Sequence, residues 1–156
     1  MDRSRREALK TGSGAGMLAL LLAAGIARPG EILAQGASPA AFSMKTVPEA
    51  MRALGAQSPA VSGAIQIKAP EIAENGAVVP IGIESKLSGT ESIALLVEKN
   101  PNPLAASFNI PAGTEPNVST RVKIGESSDV YALVKADGKF YMAKKEIKIT
   151  LGGCGG

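Results

Sequence analysis

Residues 128–150 read SDVYALVKADGKFYMAKKEIKIT, two runs rich in β-branched and aromatic residues joined by Asp137-Gly138. Asp-Gly between alternating segments predicts a two-residue β-hairpin, because the turn that matches strand twist needs positive φ at both central positions. In the second run Phe140 and Met142 share one parity, whereas Ile147, Ile149 and Leu151 share the other. A strand has a side-chain period of two, so this change of face predicts a bulge or bend at Lys144 to Glu146.

The residues before the hairpin repeat the same grammar, β-branched runs cut by Gly, Pro and Asn. GAIQIKAP places Ile65 and Ile67 on one strand face, AENG makes a turn, and AVVPIGIES follows as a strand. Pro80 lacks a backbone donor and predicts that this strand is an edge or carries a bulge. SIALLVEKN is more continuously apolar, as in a strand covered on both faces, and NPNP ends it. LAASFNIP is a shorter strand, and VSTRVKIG alternates Val118, Thr120, Val122 and Ile124 on one side. The one helical signal is TVPEAMRALG. Thr46 and Glu49 form a capping box and Gly55 is a stop, so a short helix over 47–54 is expected, burying Ala50, Met51 and Leu54. Together these elements predict an all-β, immunoglobulin-like β-sandwich of about seven strands with a short N-terminal helix.

The first forty residues belong to a different class of segment. SRREALK from Ser4 to Lys10 precedes the apolar run AGMLALLLAAGIA and then the small-residue stretch AQGASPAA. A basic start, a short apolar segment and small residues are the three parts of an export signal, and the run falls well short of the ~20 residues that span a bilayer. The pair Arg5 and Arg6 resembles the twin-arginine signal, with Ala8 in the phenylalanine place. The chain is therefore read as a twin-arginine signal over 1–40, cleaved between 34 and 41, a sandwich domain over 41–151 and an arm over 152–156, exported to the periplasm and free of the membrane thereafter.

Removing the signal changes what the charge means. Of 17 Lys and Arg, five precede Ala41, as do three of 14 Asp and Glu, leaving 12 against 11. The remaining chain is nearly neutral, so the charge footprint of nucleic-acid binding is lost. There is no histidine and no tryptophan, aromatics make up 3%, and Cys154 is the single cysteine. Histidine-based acid–base chemistry, Ser-His-Asp triads, Cys-rich metal centres and internal disulfides are excluded, and no cofactor is expected. The expectation is a protein that is not an enzyme.

Cys154 stands in GGCGG, between Gly152, Gly153, Gly155 and Gly156. Glycine loses the most backbone freedom on ordering and has no side chain to bury, so this composition predicts a flexible arm. From Leu151 to Cys154 an extended chain reaches about 10 Å, with no Cβ on the flanking positions to obstruct a narrow channel. An exposed thiol in an oxidising compartment is a liability unless it is used. Lys144, Lys145 and Lys148 could favour a thiolate, but a solvated strand face accounts for them better, and an ordinary thiol activated by a partner is expected.

These residues resemble the SoxY family, the sulfur-carrying subunits of the periplasmic sulfur-oxidising (Sox) system. The resemblance rests on AENG with the following Val-Pro, EKNPNP, STRVK and the ending ITLGGCGG, in that order, with Ile149 where valine is usual. It implies covalent attachment of inorganic sulfur at Cys154 and a heterodimer with a SoxZ-like subunit. It also implies a SoxAX-like haem enzyme that couples thiosulfate to the thiol and a SoxB-like thiohydrolase that releases sulfate. A SoxCD-like sulfane dehydrogenase, where present, would oxidise the remaining sulfur.

Two other readings compete. In one the chain is an exported binding or assembly module that uses Cys154 for an intermolecular disulfide. In the other Gly155-Gly156 is a ubiquitin-like thiocarboxylate tail, against which both the export signal and the missing central helix argue.

Overall fold

The computed structural model describes residues 39–150. A single 3-10 turn over Pro39–Ser43 buries Ala41 and leads into helix α1, Val47–Ala53. The capping box forms in part: Thr46 Oγ1 accepts the Glu49 N–H at 3.4 Å. Gly55 ends the helix with φ at 91°, a region that glycine enters without steric cost. Val47, Ala50 and Met51 are buried, while Leu54 is half-buried at the helix end.

The strands are β1 (Ala60–Val61), β2 (Ile65–Lys68), β3 (Ile72–Ala73), β4 (Val79–Ser85), β5 (Thr90–Val97), β6 (Leu104–Asn109), β7 (Asn117–Val122), β8 (Ser128–Ala136) and β9 (Lys139–Ile149). The larger sheet runs β1-β9-β8-β5-β6, with β3 also against β9; the smaller runs β2-β4-β7. The seven strands of four residues or more are those expected from the alternation. The two-residue β1 and β3 carried no such signal, because each pairs in parallel with β9 over only two positions. Between them the chain crosses to the smaller sheet to form β2, so the first part of the domain stitches the two sheets together. Among the described residues no helix is long and apolar enough to cross a membrane.

The hairpin forms as expected: Asp137 and Gly138 both take positive φ, 47° and 71°, and Ala136 pairs with Lys139. The bulge expected at Lys144 to Glu146 is absent. The β8–β9 register is unbroken from Ser128 opposite Ile147 to Ala136 opposite Lys139. The parity change has another cause. Tyr141, Ala143, Ile147 and Ile149 face the core between the sheets, with Ile81, Ile83, Ile93, Leu95 and Val134. Phe140 and Met142 face the opposite side, where α1 and the 3-10 turn cover the large sheet with Ala50 and Met51 against Leu96 and Leu133. The helix covers only the start of β9, so the later residues of that parity, Lys144, Glu146 and Lys148, are exposed. The bulges lie in β5 instead, at Leu95/Leu96 against β6 and Thr90/Ser92 against β8.

β5 meets its expectation, sending Ile93, Leu95 and Val97 into one core and Ala94 and Leu96 into the other. Each large aliphatic side chain buried this way contributes about 2 kcal/mol over exposure. Pro80 is a partial correction, because β4 is the middle strand of its sheet. β2 pairs only with Gly82 to Ser85, so at Pro80 the strand is bonded to β7 alone and is an edge locally.

Candidate functional site at the end of strand β9

β9 is the longest strand and leads to the segment that carries Cys154. Its last residues are held on both flanks. On the β8 side the Ile149 N–H donates to Ser127 Oγ at 2.9 Å, beyond the last paired residue. On the other side Lys148 N–H donates to the Glu71 carbonyl at 2.9 Å and Thr150 N–H to the Ala73 carbonyl at 3.1 Å. The backbone is therefore fixed through Thr150.

Three loops close around this point. In the turn after β3, Asn75 Oδ1 accepts the Ala77 N–H at 2.9 Å, and the Gly76 carbonyl accepts the Ile124 N–H at 2.7 Å. In the turn after β5, Asn100 Nδ2 donates to the Lys123 carbonyl at 2.7 Å and its Oδ1 accepts the Gly125 N–H at 3.3 Å. Between them Ile124 is a buried plug. A groove of about 290 Å³ opens here, lined by Glu74, Gly76, Lys123, Gly125, Ile149 and Thr150 among others. AENG, EKNPNP and STRVK thus supply or adjoin the residues that surround the end of β9. Strand pattern and turn propensity did not show that they meet, nor did they single out Ser127.

Asn100 should be a structural tie at this end of the domain. Asn100→Ala removes two hydrogen bonds and should lower stability by about 1–2 kcal/mol, read from the denaturant midpoint. Asn100→Asp, which retains an acceptor for Gly125, should lose less.

The lysines of β9 separate into different roles. Lys144 pairs with Asp129 at 2.9 Å, and that hydrogen bond, with the Asp129 charge, raises its pKa. Lys145 Nζ donates to the Ala69 carbonyl at 2.7 Å. Both are engaged by their own domain, which supports a structural role over thiolate activation. Lys148 is exposed. Cys154, Gly152, Gly153, Gly155 and Gly156 lie outside the described residues, as do Arg5, Arg6 and the export segment.

A family model described as sulfur oxidation protein SoxY matches residues 50–154, well over half of the chain. The chain belongs to the SoxY family. Its match runs from α1 to the single cysteine and so takes in every loop around the end of β9. Among solved structures, the sulfur carrier protein SoxY from Chlorobium limicola f thiosulfatophilum is 38% identical, with a TM-score of 0.57, over 64% of this chain and 93% of that one. A superoxide reductase (neelaredoxin) from Ignicoccus hospitalis is also similar, at 20% identity and a TM-score of 0.49, over 56% and 80% of the two chains. No curated protein sequence matches the chain.

Proposed function

We propose that this SoxY-family chain is a covalent carrier of sulfur intermediates in thiosulfate oxidation, with Cys154 as the attachment point. The observation that carries the reading is the pairing of a β9 end fixed through Thr150 with a lone cysteine four residues further on. A carrier needs a rigid base that partner enzymes can grip and a thin, reactive extension, and GGCGG has that chemistry. Extended, the four residues beyond Thr150 place Cys154 at most about 14 Å from the sandwich.

The thiol would first be coupled to thiosulfate, R–SH plus S₂O₃²⁻ giving R–S–SSO₃⁻, a proton and two electrons. A SoxAX-like haem enzyme takes the electrons. A SoxB-like hydrolase then adds water to the terminal sulfonate, giving R–S–SH, SO₄²⁻ and a proton. The carrier contributes the nucleophilic sulfur and its presentation, and the catalytic groups belong to the partners. A SoxZ-like subunit completes the carrier as a heterodimer, and a SoxCD-like dehydrogenase oxidises the persulfide where it is present. Export through the Arg5-Arg6 signal would bring the protein to the periplasm, where this chemistry would run.

Incubating the purified heterodimer with thiosulfate and the haem enzyme should add the mass of a thiosulfonate to the C-terminal peptide, and dithiothreitol should remove it. An unmodified thiol throughout would overturn the proposal.

A further inference from the structure

We infer that Asn75 is a site of spontaneous modification, converting to aspartate and isoaspartate in the folded protein through attack by the Gly76 backbone nitrogen. This holds whichever way Cys154 is used. The Gly76 nitrogen bonds to Asn75 Cγ, the Cγ–Nδ2 bond breaks, and the Gly76 proton leaves with that nitrogen as ammonia. Water then opens the cyclic imide. Addition at Cγ gives aspartate, whereas addition at the main-chain carbonyl gives isoaspartate, in which the chain runs through the former side chain.

The following residue selects the site. The asparagines of the chain are Asn75, Asn100, Asn102, Asn109 and Asn117. Pro101 and Pro103 follow Asn100 and Asn102, and neither has an N–H to lose. Ile110 and Val118 follow Asn109 and Asn117, and their branched side chains crowd the approach to the nitrogen. The Ile110 N–H is also held by the Glu91 carbonyl at 2.8 Å. Asn75 alone precedes a glycine, with no Cβ in the way, and it is exposed, so water reaches the imide.

The turn adds what the dipeptide lacks by itself. The Ala77 N–H donates to Asn75 Oδ1 at 2.9 Å, which bends the side-chain amide back over the Gly76 peptide. That oxygen takes up negative charge as the nitrogen attacks, so the donor sits where it lowers the barrier. The Gly76 N–H has no acceptor among the described residues, and ring closure there gives up no hydrogen bond. Asp137-Gly138 shows the contrast, because the Gly138 N–H donates to Glu91 Oε1 at 2.8 Å and its nitrogen is tied up.

The two products differ in effect. Aspartate keeps an acceptor for Ala77 and adds a negative charge beside the exposed Glu74. Isoaspartate lengthens the main chain by one carbon in a turn fixed on both sides. There the Ala73 carbonyl accepts the Thr150 N–H and the Gly76 carbonyl accepts the Ile124 N–H.

The test incubates the folded full chain at mildly alkaline pH and maps its peptides by mass spectrometry, with isoaspartate labelled by an isoaspartate-specific methyltransferase. Asn75 should convert about tenfold or more faster than Asn109 and Asn117, a lead that a barrier lower by about 1.4 kcal/mol supplies. Its rate should rise with pH, because the Gly76 nitrogen attacks after losing its proton. The isoaspartyl fraction should melt about 4 °C or more below the parent, and Asn75→Asp within about 1 °C of it. Conversion in the urea-unfolded chain but not in the folded one would overturn the site, and so would equal conversion at Asn109 or Asn117. An isoaspartyl fraction that melts with the parent would overturn the effect assigned to the lengthened turn.

Discussion

Cys154→Ser should reduce thiosulfate-dependent sulfate release to background while leaving the thermal midpoint within about 1 °C of the parent. The size of the first effect follows from the absence of a substitute: the chain has no other cysteine. A serine hydroxyl has nearly the shape of the thiol, but at neutral pH it supplies neither the thiolate nor the sulfur that forms a sulfur–sulfur bond. The small thermal effect follows from position, since the cores of the described domain are built from residues up to Ile149. The same variant separates the carrier from the disulfide-linked assembly reading when combined with a non-reducing gel. Both lose activity in the serine protein, but only the assembly reading requires the active parent to migrate as a covalent dimer. Full activity in the variant would defeat both.

Gly76→Ala should be the most destabilising single-methyl addition at this end of the domain, costing about 2–3 kcal/mol and on the order of 10 °C in melting temperature. Asn75-Gly76 looks like a dipeptide chosen for positive φ, yet Gly76 is not among the glycines that adopt it. Its requirement is close approach. A Cβ there would overlap the Ile124 carbonyl oxygen and stand 3.2 Å from Ile149 Cγ2. The neighbour is backbone, and Ile124 also donates its N–H to Gly76, so relief requires moving the loop that supports the end of β9. The variant should therefore also slow partner-catalysed loading of Cys154 even at temperatures where it remains folded. Gly63→Ala, where nothing lies near the added Cβ, is the control and should be close to neutral. Equal stability of the two variants would show that the close approach does not matter.

Most of the sandwich was legible because its signals are local. The alternation in β7, the capping residues of α1 and the Asp137-Gly138 turn each act over a few positions, and each formed where expected. The bulge in β9 was misread for a reason equally physical. A switch of apolar parity has two causes, a slip of register or a second layer that covers part of the other face, and the alternation is the same for both. α1 supplies that second layer, and the packing of Phe140 and Met142 in one cluster with Ala50 and Met51 joins residues far apart in the chain.

The candidate group was picked out by the sequence alone: one cysteine between four glycines is the single thiol of the chain, and with no histidine there is no histidine-based acid–base chemistry. Composition is sufficient there, because a missing side chain cannot be supplied by any fold. The geometry at the end of β9, from which the chain runs on to Cys154, was decided only in three dimensions. Asn75, Gly76, Asn100 and Ser127 come from three separate loops: the Ser127 hydroxyl accepts the Ile149 N–H of β9 directly, and the other three tie the surrounding loops together, through contacts that depend on sheet order and crossing, which no local pattern encodes.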